Sequence, residues 1–350
     1  MFLRLSLALF FTIIISLPAH ALVNQRMIDL WAAAERSMDR NKWDQAKRHA
    51  LQTKEPLLYK FVHYRYLSDI DSKAPFSEIV YFIRNNNDWP GQKTLYLRSE
   101  QALIREKPDD DALLKWFKSH PPITGDGKIH FAEALQRNSD PKYSKSDLEK
   151  MIREGWVRGD FSPAREKEIL STFKRLLRKK EHIKRLDRLV WEHKFLAAKR
   201  GRRLVPHAYR NVFDARVALA KNYRRVNDYI NQIPKSLRAT PGLMFERMQW
   251  RAKRKLHKGV QQMLLAAPAK VPFPEKWWPI RNRYIRKAIE DKNYRLALKL
   301  AKNHGQVSGV ELAEALWLSG WLKFVYGKDA KGAYEDFYKL FKGTQYPISK

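Results

Sequence analysis

Apolar residues recur along this chain at the spacing of one helix face. Phe76, Ile79, Val80 and Ile83 stand at i, i+3, i+4 and i+7, and Leu318, Trp321, Leu322 and Val325 repeat the pattern near the other end. Both stretches predict helices that bury one side. Proline punctuates at helix-sized intervals, at Pro56, Pro75, Pro90, Pro108, Pro121-Pro122 and Pro141. Lacking a backbone donor and clashing inside a helix, proline marks helix starts and ends. No convincing series of alternating positions joined by Asn-Gly or Asp-Gly turns is found, and Gly125-Asp126-Gly127, after two prolines, reads as a polar connection. The expected fold class is all-α.

A weak internal repeat runs with this pattern. Trp43-x2-Ala46-x3-Ala50 recurs as Tyr294-x2-Ala297-x3-Ala301, each behind an Asn-Lys or Lys-Asn turn, and Ala333-x3-Phe337 is a fainter echo. An aromatic with two small residues on one face lets a neighbouring helix pack close, so the expected architecture is an α-superhelix, a solenoid of short helix pairs. In the last strong helix Ala313, Ala315, Ser319 and Gly320 interleave with Leu312, Leu316, Trp317 and Trp321. Small and apolar residues around much of the circumference predict a helix covered on several sides, packing and not a ligand pocket.

Composition excludes a disordered basic tail: the 350 residues are 44% hydrophobic and 12% aromatic, with 11 Trp. Length alone would suggest about two domains at roughly 150 residues each. The absence of cysteine rules out disulfides, thiolate metal sites and cysteine nucleophiles. Residues 1–21 read as a secretory signal peptide: Arg4 follows a short start, Leu5 to Leu17 is nearly all apolar, and Ala19-His20-Ala21 has the small-x-small form of a cleavage site. The alternative, an uncleaved anchor, would need about 20 apolar residues. No later stretch is long enough to span, so membrane contact would be peripheral at most.

Export changes how the charge is read. Lys and Arg number 69 against 37 Asp and Glu, a net +32. In a cytosolic chain that would point to nucleic acid. An exported chain meets envelope anions instead, such as carboxylates of cell-wall peptides, acidic lipid head groups and acidic polysaccharides, and nucleic acid is not expected as a partner. That cations simply cover solvated helix faces stays an open alternative. The longest basic stretch holds Lys174, Arg175, Arg178, Lys179 and Lys180, with Lys184, Arg185 and Arg188 beyond it, and Leu176, Leu177, Ile183, Leu186 and Leu189 on the other side of a helix. Arg200, Arg202 and Arg203 form another cluster, and Arg251, Lys253, Arg254 and Lys255 a third. Lys174, Arg175, Arg178, Lys179, Lys180, Arg202 and Arg203 are the candidate substrate-binding residues, facing an anionic glycan or membrane surface.

Catalytic motifs are wanting. No GxSxG elbow, HExxH helix, Walker loop or dinucleotide glycine motif occurs. Glu181-His182 and Glu192-His193 lack a second His at helical spacing and read as surface pairs, so neither metal nor cofactor is expected. Trp277-Trp278, flanked by Pro272, Pro274 and Pro279, would stack on a sugar ring if exposed, but reads first as a plug between helix pairs.

Taken in order, several segments carry a resemblance. They are Phe76-Ser77-Glu78-Ile79 leading to Asp88-Trp89-Pro90-Gly91-Gln92, Gly155-Trp156 with Gly159-Asp160-Phe161, Arg185-Leu186-Asp187-Arg188-Leu189-Val190-Trp191 and Pro241-Gly242-Leu243. Further on come Pro274-Glu275-Lys276-Trp277-Trp278, His304-Gly305, Ser319-Gly320-Trp321 and Pro347-Ile348-Ser349. Residues 22–350 resemble through them the N-terminal superhelical domain of the soluble lytic transglycosylases. The resemblance implies a U-shaped, ring-like α-superhelix acting on peptidoglycan in the periplasm. Members of that family cleave the β-1,4 bond between N-acetylmuramic acid and N-acetylglucosamine without water. One glutamic acid protonates the leaving oxygen and then, as base, draws the muramyl 6-hydroxyl into a 1,6-anhydro ring, in place of two-carboxylate hydrolysis.

In the family that glutamate sits in a lysozyme-like domain beyond the superhelix, in a Glu-Ser segment followed by a Gly-Leu-Met-Gln segment. Here Gly242-Leu243-Met244-Phe245 imitates the second segment without the glutamine, and no glutamate lies between Glu192 and Glu246. No catalytic residue is therefore carried over, and the expectation is a superhelix incomplete at Lys350 with the lysozyme-like domain absent. Two functional expectations follow. The chain is the superhelical portion of a lytic transglycosylase, inactive alone, with peptidoglycan glycan strands and a separate catalytic domain or cell-wall enzyme as partners. Alternatively it is a stand-alone periplasmic α-solenoid scaffold, binding glycan or partner proteins through basic surfaces.

Overall fold

A computed structural model describes residues 25–343. The signal-peptide reading of residues 1–21 and the Pro347-Ile348-Ser349 motif lie outside the described residues. The all-α expectation holds: among the described residues there are 19 α-helices and no strand. The chain divides between Asp160 and Phe161 into two compact units.

The N-terminal unit holds α1 (Gln25–Asp39), α2 (Trp43–Gln52), α3 (Pro56–Ser68), α4 (Phe76–Asn85), α5 (Gln92–Glu106), α6 (Asp110–Ser119), α7 (Gly125–Arg137) and α8 (Lys145–Arg158). Here α1 packs on α2, α4 on α5 and α7 on α8. The C-terminal unit holds α9 (Pro163–Thr172), α10 (Lys179–Trp191), α11 (Phe195–Gly201), α12 (His207–Ala220), α13 (Val226–Asn231), α14 (Pro241–Lys253), α15 (His257–Ala266), α16 (Pro274–Glu290), α17 (Tyr294–Lys302), α18 (Gly309–Val325) and α19 (Ala330–Gly343). Among its packed pairs are α10 with α11, α12 with α13 and α14, α14 with α15, α16 with α17 and α18 with α19.

Proline acts as the sequence analysis expects. Pro56, Pro163, Pro241 and Pro274 open their helices, where the missing N–H has no intrahelical partner to lose.

The internal repeat is a repeat of turn geometry. Asn41, His193, Lys255 and Lys292 all adopt left-handed backbone, with φ of 56°, 58°, 57° and 55°. In each case the next residue's N–H bonds back five positions, Lys42 to Ser37, Lys194 to Leu189, Leu256 to Arg251 and Asn293 to Ala288. This closes the helix in a Schellman-type motif, and the following helix starts at once. Behind the first and last of these turns Ala46, Ala50, Ala297 and Ala301 are buried, while Trp43 lies edge-on to Tyr66 and Tyr294 stacks on Tyr326 at 3.7 Å.

Three local expectations are corrected. Gly125-Asp126-Gly127 is no loop: it is the first turn of α7, capped by Thr124, whose hydroxyl accepts from the Gly127 N–H. The glycines are there for space, since a Cβ on Gly125 would fall 2.3 Å from the Gly159 nitrogen and 2.4 Å from the Gly155 carbonyl oxygen. The basic run from Lys174 is not one helix face, because α9 ends at Thr172 and α10 begins only at Lys179. Lastly, α18 is covered on several sides as expected, with Ala315, Leu316, Leu318, Ser319, Gly320 and Leu322 buried, but one side stays open, where Val310, Trp317, Phe324 and Val325 are exposed.

One buried cation braces the C-terminal unit. Arg281 of α16 donates from Nη1 to the Leu300 carbonyl at 2.8 Å and from Nη2 to the Leu264 carbonyl at 3.2 Å. Both carbonyls belong to last turns, of α17 and α15, where a cation complements orphan oxygens and the negative helix end.

Candidate functional site

The predicted basic residues separate into two kinds. Lys174, Arg175, Arg178, Lys179 and Lys180 lie exposed on the connection from α9 into α10 and its first turn, while Phe173 and Leu177 beneath them are buried. Glu181 is spent on the backbone, accepting from the Arg178 N–H at 3.1 Å. The second cluster is largely structural. Arg202 makes a bidentate pair with Asp214 at 2.8 and 2.6 Å, and Arg200 joins Arg185 on the buried carboxylate of Glu166 at 2.5 and 2.8 Å. Arg203 remains exposed. In the third cluster Arg254 covers the Trp250 ring and bonds Asn222.

Trp277 and Trp278 are buried in the largest core cluster, with Trp277 against Phe245 at 5.3 Å. They plug the interior and offer no face to a sugar. Trp278 nevertheless reaches a surface groove, because its Nε1 donates to Glu314 Oε2 at 2.7 Å.

That groove, about 330 Å³, is where α18 fails to be covered. Its apolar side is Val310, Ala313, Trp317 and Leu318; its polar side is Asn282, Arg286 and Glu314. The polar side chains form a relay, Arg286 Nε donating to Asn282 Oδ1 at 3.0 Å and Asn282 Nδ2 to Glu314 Oε2 at 3.5 Å. Trp317 is half exposed and parallel to Trp321, 2° between planes and 6.2 Å between centroids. A half-exposed indole face beside planar amide, guanidinium and carboxylate groups can stack on a sugar ring and hydrogen-bond its hydroxyls. Sequence reasoning missed it because the spacing of small residues in α18 imitates a buried helix.

A second cavity, about 230 Å³, lies between α10, α12 and the start of α14. Ile183, Leu186, Val190, Val212 and Phe213 give it apolar walls, and Arg216 enters it with Asp187, Thr240, Pro241 and Gly242. Arg216 is 2% exposed. Its Nη1 donates to Asp187 Oδ1 at 2.5 Å, and its guanidinium covers the Trp191 ring at 5.1 Å. Nε and Nη2 have no acceptor among the described residues. Nη2 stands 3.9 Å from Glu246 Oε1, which is itself without a donor. Burial pushes the Glu246 carboxyl up to about 7 against the opposing pull of Arg216, Lys253 and Lys276. Asp187 and Glu246 lie about 30 residues to either side of Arg216 in the chain, so no local motif announces the cluster.

Among the described residues no group of three or more His, Asp or Glu is placed to hold a metal ion, and no helix is long and apolar enough to cross a membrane. No protein family, curated protein or solved structure matches the chain.

Proposed function

We propose that this chain is a peptidoglycan-directed protein of the periplasm, the superhelical portion of a lytic transglycosylase, which binds glycan strands and leaves bond cleavage to a separate catalytic domain. The observation that carries the reading is the groove at Trp317, an exposed ring beside Asn282, Arg286 and Glu314. The exposed cations Lys174, Arg175, Arg178, Lys179 and Lys180 support it by adding a salt-sensitive attraction to the carboxylates of cell-wall peptides. Incubation with purified, protein-free sacculi tests both halves. The chain is expected to sediment with them, less at high salt, and to release no 1,6-anhydro-muropeptides. A chain left in the supernatant, or one that generates anhydro products, overturns the reading.

A second reading rests on the width of the same surface. Phe324, Val325, Tyr334, Tyr338 and Phe341 are also exposed on α18 and α19, and clustered exposed apolar side chains mark protein contacts. On that reading the chain is a scaffold that binds a partner protein. It would then ignore protein-free sacculi.

A further inference from the structure

The cavity at Arg216 is separate from the glycan groove and calls for a ligand of its own. A buried guanidinium whose Nε and Nη2 lack acceptors is held less firmly than a fully bonded one, since each unmade bond costs about 1–3 kcal/mol. These two nitrogens are sealed from the cavity, and an occupant meets Arg216 where Asp187 does, at Nη1. The one side chain that hydrogen-bonds it among the described residues, Asp187, is half exposed. Next to it the first turn of α14 has no capping side chain, no acidic residue and a proline at its start. The backbone N–H groups of Gly242 and Leu243 therefore have no intrahelical acceptor, and the positive helix end adds to the field of Arg216. Gly242 makes this closeness possible: a Cβ there would fall 2.5 Å from Arg216 Cζ. The cavity thus joins a cationic floor to aliphatic walls.

From this we infer that the cavity is a binding site for a small aliphatic carboxylate, whose carboxylate takes the place of Asp187 on Arg216 while its body lies against Ile183, Val190 and Val212. A monoanion fits better than a phosphate, because the carboxylate of Asp187 opposes a second negative charge. Size agrees: a 150 Å³ apolar cavity holds a six-carbon ring, so this one takes a body of roughly ten heavy atoms. The same chemistry is offered by the C-terminus of a short peptide and by a free branched-chain acid. The inference does not rest on the glycan reading.

Calorimetric titration of the full chain tests it, with N-acetyl-leucine, isocaproate, the neutral N-acetyl-leucinamide and inorganic phosphate as probes. At least one of the two acids is expected to saturate the site, with the amide about tenfold weaker or more. Asp187→Asn, a substitution at a half-exposed position, removes the internal competitor and is expected to tighten acid binding several-fold. Gly242→Ala displaces the guanidinium and is expected to abolish it. Preference for N-acetyl-leucine assigns the site to peptide termini, and preference for isocaproate to free acids. Equal binding of acid and amide, stronger binding of phosphate, or no acid binding by either the natural chain or Asp187→Asn overturns the inference.

Discussion

Arg216 and Glu246 face each other across 3.9 Å, close enough to attract and too far to hydrogen-bond. Both groups are buried and neither is fully matched, so Glu246 holds its proton up to about 7 instead of an ordinary 4.5. The folded chain then keeps a proton that the unfolded chain gives up between those values. The stability tied to it is complete below about pH 4.5 and is lost as pH rises towards 7, an effect of roughly 3 kcal/mol. Urea titrations at pH 5 and pH 8 are expected to show this fall, and Glu246→Gln is expected to flatten it.

Arg281 offers a test of a structural cation. Arg281→Met keeps an unbranched apolar stem but leaves the carbonyls of Leu264 and Leu300 without their donor. Two orphaned buried acceptors predict a loss of about 2–4 kcal/mol, read as a lower denaturant midpoint with an unchanged slope.

Space at glycine is tested by a pair of substitutions. At Gly125 an added Cβ meets the backbone of Gly155 and Gly159, which cannot step aside, and Gly125→Ala is expected to cost about 3 kcal/mol. Nothing lies within 4 Å of such an atom at Gly201, near the end of α11. There alanine is expected to be neutral or to stabilise by up to about 1 kcal/mol. Thermal unfolding of the two variants side by side decides it.

The repeated turn predicts an easy gain. Lys292 holds φ 55° at a cost that glycine does not bear, so Lys292→Gly is expected to raise stability by about 0.5–1 kcal/mol. A lower melting temperature would show that the Lys292 side chain contributes more than its backbone strain costs.

Much of the fold was legible because helix punctuation is local. Pro56 and Pro274 begin helices, and Ile79, Val80 and Ile83 are buried at the spacing that predicts it. The Ala46/Ala50 and Ala297/Ala301 echo fell on equivalent turns, although the turn at His193 keeps only the aromatic and first alanine of the pattern, as Phe195 and Ala198, and the one at Lys255 keeps the geometry alone. What failed were inferences from composition where position decides. The basic run was continuous in sequence but straddles a helix boundary, and Trp317 lay in a helix rich in small residues yet faces outward. The Arg216 cluster was illegible for a different reason: it joins α10, α12 and α14, and nothing in a single sequence marks residues about 30 positions apart as partners.

The glycan-binding claim stands or falls on one side chain. Half exposed, Trp317 can be replaced by alanine without opening the core. Sedimentation of the natural chain and of Trp317→Ala with protein-free sacculi, at high salt to suppress the attraction of Lys174 to Lys180, measures what the groove contributes. The expected result is about tenfold weaker binding for Trp317→Ala, the loss seen when a central tryptophan is removed from a recognition surface. Equal sedimentation of the two chains, or none by either, would contradict the account.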